Sequence, residues 1–365
     1  MPTSAIIVLS SIGALIVILA VSIFSIRMYR RHSFLHRLFK RGNDIVHYAF
    51  IINPSKPNAK SLKARIRQYC AQNGLKEITF INTELDKDGR ECAIQALEGG
   101  ADVIVAVGGD GTVRTVASAL AGTSHAMGII PIGTGNLFAR NMGIPIDDID
   151  SALAVATSHG SRFVDVGRLE MLDSAEDREA HAFLIIAGTG FDALMIDNTD
   201  PTLKKNISWL AYFVSGAQHL FTKKYTGTVA ITGSDGETRQ RESIVFRTLM
   251  AGNCGQIPGL SLMPEASWDD GLLDFEIIDT SGGIIGWANL FGDVLHQTIT
   301  HKAEQSPFST NSKVEQIQGL SAEITLDKAA PVQVDGDVLG ETRHIRFSVE
   351  KEALCVRVPD SQSAA

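Results

Sequence analysis

Hydrophobic and polar positions follow two regimes along this chain. From His47 to about Asp165, short apolar runs alternate with stretches of helical spacing. The runs 47–53 (HYAFIIN), 76–82, 102–107 (DVIVAV) and 125–130 predict strands; those that are continuously apolar predict strands covered on both faces. Lys60 to Gln72, Arg90 to Leu97 and Thr112 to Ala121 predict helices, the first two closed by Asn73-Gly74 and Gly99-Gly100, and another helix begins at Leu137. Strands alternating with helices imply a mostly parallel sheet. After Asp165 the pattern becomes strand-like, over 162–169, 182–187, 226–232, 243–251, 272–278, 317–326, 331–334 and 342–349. Turn signals fall at Gly233–Gly236, Asp269–Gly271 and Asp335-Gly336, and helices are expected only over Ile207–Leu220 and Ile284–Leu295.

The first residues differ from both regimes. Ala5 to Ile26 is an uncharged apolar run of 22 residues. As a helix it would reach about 33 Å, enough for a hydrocarbon core of roughly 30 Å. No base precedes it and no clear small-residue cleavage site follows, so an anchor is expected rather than a cleaved signal peptide. Arg27, Arg30, Arg31, Arg37, Lys40 and Arg41 follow the run. That asymmetry predicts a single-pass cell-membrane protein with a cytoplasmic body. The collar 33–41 mixes Phe34, Leu35, Leu38 and Phe39 with bases, and fits either an interfacial helix on an anionic membrane surface or a spacer.

The chain has 365 residues, more than one compact core usually takes, so two domains are expected. Its net charge of −8 argues against a nucleic-acid partner. Cys70, Cys92, Cys254 and Cys355 lack the spacing of a metal or redox motif and read as reduced thiols. A homodimer is the default expectation, because two-fold dimers are the commonest closed assemblies.

Four loops carry candidate chemistry. Gly108-Gly109-Asp110-Gly111-Thr112 follows a buried strand and opens a helix, so its amides can face phosphate. Asp110 beside a phosphate needs a reason, either a cation or hydrogen bonds from neighbouring amides. Pro131 to Asn136 also follows a strand, with Gly133, the Thr134 hydroxyl and the Asn136 amide as candidate contacts. Two such loops at adjacent strand ends make a crevice of the kind that holds ligands in open α/β sheets. The third loop, Trp268 to Leu272, could hold a hard cation through Asp270, or be a solvated turn. The fourth, Val334-Asp335-Gly336-Asp337, could share a cation between its two carboxylates, supply a base, or be a plain hairpin turn.

These loops, taken with Asn53-Pro54, Asp165-Val166-Gly167, Gly188 to Asp192, Pro264-x-Ala266 and Asp269 to Asp274, occur in the order seen in the diacylglycerol kinase catalytic-domain family. From about His47 to Val358 the chain resembles its bacterial lipid kinases, with sphingosine kinases as relatives and NAD kinases more distant. The expected fold class is α/β: the N-terminal transmembrane helix read from the apolar run, then, as the resemblance implies, an NAD kinase-like α/β nucleotide-binding domain and a β-sandwich second domain. The expected division is residues 1–44 (anchor and collar), 45–168, 169–345 and 346–365, the last a strand returning to the first domain and a disordered tail. It also implies ATP and Mg²⁺ as cofactors and a membrane lipid as acceptor, diacylglycerol by default. By the same resemblance Asn53 and Ser55 help hold nucleotide, Gly109 to Thr112 cradle phosphate and its cation, and Thr134 and Asn136 line the cleft. Asp270 and the Leu272 carbonyl look like a structural Mg²⁺ site, and Asp335 looks like the base, with Asp337 where the family usually has Glu. The chain departs from the family pattern at Lys56-Pro57 and at Leu137 as well. An NAD kinase-like enzyme with a soluble substrate and a non-catalytic lipid-binding protein are the two other readings.

Overall fold

Four short strands build the centre of the first half: β1 (His47–Ile52), the more polar edge strand β2 (Glu77–Asn82), β3 (Val103–Gly108) and β4 (Ala126–Pro131). All six residues of β3 and of β4 are buried, as expected for strands covered on both faces. The computed structural model describes residues 45–55, 59–174, 177, 179–190, 224–257, 260–261, 263, 265–280 and 312–359. The strands pair in parallel in the order β2-β1-β3-β4. The chain runs outward from β1 to β2 and then returns to the other side of β1 for β3. That reversal opens a crevice at the strand ends, where the loops after β1, β3 and β4 meet.

Helices α1 (Ala59–Gln72), α2 (Gly89–Glu98), α3 (Asp110–Leu120), α4 (Leu137–Asn141) and α5 (Ile149–Thr157) belong to this half. α1 turns Leu62, Ile66 and Cys70 inward, and α3 buries Val113, Val116, Ala117 and Leu120. Two bases of α1 serve packing: Lys63 and Arg67 lie 5.0 and 4.8 Å from the ring centre of Phe80. The α5 helix was not expected from the pattern. Asp148 accepts the Asp150 N–H and caps its start, while Ala152, Leu153 and Ala156 form its buried stripe.

The second half is built of strands. They are β5 (Ser161–Met171), β6 (His181–Phe183), β7 (Ile186–Gly190), β8 (Tyr225–Thr232), β9 (Thr238–Phe246), β10 (Thr248–Gly252), β11 (Gln256–Ile257), β12 (Leu260–Ser261), β13 (Leu273–Thr280), β14 (Ser312–Gly319), β15 (Ser321–Val334) and β16 (Asp337–Arg357). Two expected single strands are broken. Leu184-Ile185 separates β6 from β7, and Arg247 separates β9, which pairs with β8, from β10, which pairs with β7 and β13. The second core holds Phe183, Phe246, Phe275 and Phe347 among aliphatic residues. β16 pairs with β15 and β5, and its end, Cys355 and Val356, pairs in parallel with β4. One sheet therefore runs through both halves.

The α/β class with a second β-sandwich body stands, but the transmembrane part of the expected fold needs correction. Among the described residues no helix is long and apolar enough to cross a membrane. The longest, α1, has 14 residues and would reach about 21 Å, short of a roughly 30 Å hydrocarbon core, and Lys60, Lys63, Arg65 and Arg67 punctuate it. The expected span at 5–26 and the collar at 33–41 lie outside the described residues, as do the helices expected over 207–220 and 284–295. The expected single-pass membrane location, with its cytoplasmic body, rested on that span and is withdrawn with it. All four cysteines are buried and free.

Candidate active site

The crevice is made by close approach of two glycine loops. A Cβ on Gly133 would stand 2.6 Å from the Gly109 Cα, so only glycine lets the second loop press on the first. The Ile132 N–H donates to the Gly108 carbonyl at 2.9 Å, tying the strand ends together. Gly109 precedes α3 with extended backbone, and no side chain caps that helix. Its first amides are thus arranged for an external anion.

Asp110 faces the other way. Its Oδ1 accepts the N–H groups of Leu137 at 2.7 Å and Phe138 at 3.4 Å, at the start of α4. Burial raises its pKa, opposed by the amides of Phe138, Leu137 and Asn136. Of the two explanations open for this residue, the hydrogen bonds from neighbouring amides are present. Asn136 also braces its own loop. It is buried in the left-handed region, φ 49°, and its side chain accepts from the Gly133 N–H and donates to the Gly133 carbonyl, both at 2.9 Å. Thr134 remains exposed on the rim. Asn53 Oδ1 accepts the Ser55 N–H at 3.0 Å and its hydroxyl at 2.6 Å, folding the chain into a turn at the end of β1.

From the second half comes the turn between β15 and β16. Asp335 has φ 45° and sends its carboxylate to three amides: Leu184 at 2.8 Å, Ile185 at 2.9 Å and Ile186 at 2.9 Å. The first two donors occupy the break between β6 and β7, and the third opens β7. Burial pushes Asp335 up to about 6, with the Arg114 guanidinium and the three amides pulling it down. Asp337 is different. Its side chain is 57% exposed, and its Oδ2 accepts from Arg114 at 2.6 Å, across the junction between the halves. The same oxygen lies 3.6 Å from where a Cβ on Gly111 would stand. The second-domain carboxylate therefore sits at the first turn of α3.

Asp270 and Leu272 lie on the loop that runs into β13. Asp270 is exposed, and its Oδ1 accepts the Leu272 N–H at 2.9 Å. Burial and the neighbouring Asp269 raise its pKa, and Lys351 opposes them. Among the described residues no three His, Cys, Asp or Glu side chains converge as metal ligands.

Three contributors escaped the sequence reading of the site. Arg114 lies one helical turn beyond Gly111, and that spacing was the available signal. Asp165 is fully buried and accepts the N–H groups of Gly271 and Glu352, each at 2.6 Å. A charged residue between valines in a strand is the signature of such a brace. Asn253 donates from Nδ2 to the carbonyls of Asp165 at 3.0 Å and Leu184 at 3.1 Å, linking that brace to the amides around Asp335. Nothing in its local sequence distinguishes it.

Comparison with known proteins agrees with this architecture. The diacylglycerol kinase catalytic domain family matches residues 47–169, and the YegS C-terminal NAD kinase beta sandwich-like domain family matches 186–358. A protein of Pseudomonas aeruginosa named as a probable lipid kinase, YegS-like, is 32% identical over 288 residues, 78% of this chain and 85% of its own length. The chain belongs to this family of lipid kinases. It is a kinase, and membership implies use of ATP. A diacylglycerol kinase of Bacillus subtilis is 27% identical over 311 residues, covering 83% of this chain and 96% of the relative. The crystal structure of a diacylglycerol kinase from Bacillus anthracis shares the fold, with a TM-score of 0.64 and 20% identity over 88% of this chain and 99% of that one.

Proposed function

We propose that this lipid kinase transfers the γ-phosphoryl group of ATP to the hydroxyl of a lipid, with diacylglycerol as the first acceptor to test. The observation that carries the reading is the meeting of Asp337 with the start of α3. Uncapped helix amides suited to a triphosphate there face a carboxylate suited to an alcohol. Phosphoryl transfer needs those two things, charge neutralisation and an in-line hydroxyl.

In this reading Gly109 to Thr112 and the 133–136 loop hold the triphosphate, while Asp110 and Asn136 hold the two loops. Asn53 and Ser55 form the near wall. Asp337 takes the proton of the acceptor hydroxyl. Asp335 positions it, since both of its oxygens already accept amide N–H groups. This divides the work expected of Asp335 between two carboxylates. Mg²⁺ would add positive charge against the phosphates. Asp270 and the Leu272 carbonyl are hard oxygen donors in an acid-rich turn, which fits Mg²⁺, and they would hold a structural ion.

The test offers labelled ATP to the purified protein with diacylglycerol micelles, total lipid extract and NAD in parallel, and identifies the product by mass. A phosphorylated lipid is the expected product, and labelled NADP alone would overturn the proposal. Asp337→Asn should lower kcat on the order of 10²- to 10⁴-fold. Full turnover in that variant would remove Asp337 from the role.

A further inference from the structure

One cation stands where the two halves of the site meet. Arg114 projects from the second turn of α3, and its guanidinium reaches the Asp337 Oδ2 that also flanks Gly111. Helical side chains lean toward the helix N-terminus, which here carries the Gly109–Thr112 cradle. The Arg114 side chain is only 12% exposed, so its path is confined. Its Nε is buried and, among the described residues, has no acceptor, although a buried guanidinium nitrogen ordinarily has one. The residue is thus paired at one nitrogen and unsatisfied at another, within reach of the proposed phosphate site.

We propose that Arg114 serves two anions in turn: it holds the Asp337 carboxylate before nucleotide arrives, and turns to the terminal phosphoryl group of bound ATP, leaving Asp337 free to accept the proton of the lipid hydroxyl. This rests on the function proposed above. A carboxylate paired with a guanidinium is a poor base, because losing its negative charge means losing the pair. A terminal phosphate carries more charge than a carboxylate and matches the guanidinium fork. The handover therefore couples base activation to the presence of the third phosphate. In the transfer step the acceptor oxygen forms its bond to the γ-phosphorus as the bond to the β–γ bridging oxygen breaks. The hydroxyl proton goes to Asp337, and ADP departs with the bridging electron pair. Arg114 neutralises charge on the phosphoryl oxygens in between.

The test compares Arg114→Gln and Arg114→Lys with the parent protein, in the full chain. Binding of a non-hydrolysable ATP analogue and of ADP is measured by calorimetry, and turnover with lipid micelles is followed across pH. For Arg114→Gln the expectation is about tenfold weaker analogue binding with ADP unchanged, and kcat lowered on the order of 10²- to 10³-fold. Asp335 is faced by Arg114 from α3, by the Cys254 thiol after β10 and by the 184–186 amides. Protonating Asp335 would loosen its hold on those amides and so misplace Asp337; loss of the guanidinium favours that protonation and should move the acidic limb of the rate profile upward in pH. Arg114→Lys should restore part of the rate. Equal loss of ADP and analogue binding, or an unmoved pH limb with no rescue by lysine, would mark Arg114 as merely structural and overturn the inference. Parent-like kcat in Arg114→Gln would overturn it as well. Should the parent protein phosphorylate no lipid, the function itself fails, independently of Arg114.

Discussion

The α3 cradle and the Asp335 turn use the same backbone chemistry to opposite ends. At Gly109–Thr112 the amides at a helix start meet no side-chain cap, so they are open to an anion from outside. At Leu184–Ile186 three successive amides are already met by the Asp335 carboxylate of the chain itself. A row of N–H groups becomes a ligand site or an internal brace according to whether the fold supplies its own anion. Asp110 blurs the distinction, because it belongs to the cradle's sequence but acts as a brace toward α4.

The sharpest way to break the contrast is to spoil the cradle. Gly133→Ala would drive a methyl into the Gly109 backbone, so the loops must part. Activity should fall on the order of 100-fold, with the KM for ATP rising, as steady-state kinetics would show. Next comes the brace. Asp335→Ala strands three N–H groups and should lower stability by about 3 kcal/mol in urea unfolding, with turnover falling through misplacement of Asp337. Asp110→Ala tests the hybrid. If it is a brace, stability should drop by about 1–2 kcal/mol, and nucleotide affinity should weaken less than in Gly133→Ala.

The smallest effect concerns a carboxyl with neither amides nor a ligand. Glu276 on β13 is buried, and burial, followed by the nearby Asp274, pushes it up to about 8. Its Oε2 has no partner among the described residues. The folded protein holds that proton more tightly than the unfolded chain does. Stability is therefore fully present below the ordinary glutamate range and is lost as pH rises toward 8. Glu276→Gln should flatten that slope, so that the melting-temperature difference from the parent is larger at pH 8 than at pH 5. A pH-independent difference would show that Glu276 does not titrate in this way.

Legibility in the sequence followed the same divide. β3 and β4 are continuous apolar runs whose burial on both faces leaves no alternative assignment, and the glycine loops follow them directly. The break at Leu184-Ile185 was unreadable because its cause, Asp335, lies about 150 residues away in the chain. The same separation hid the different surroundings of the two carboxylates at the last turn. Asp335 and Asp337 are chemically identical in sequence, and only the partners brought to them, three amides against one guanidinium, tell them apart. The sequence offered Asn136 as a cleft residue but not its second part, the left-handed backbone that turns its amide back on Gly133.

The 21 residues of β16 carry one further consequence. A single unbroken backbone is woven into the ladders of β15, β5 and β4, so the two halves lack the free linker that a swinging door requires. Adjustment around substrates must come from local turns and side chains or from a gentle torsion of the shared beam. Melting should engage both bodies at once, since neither can peel away without tearing a strand from the other.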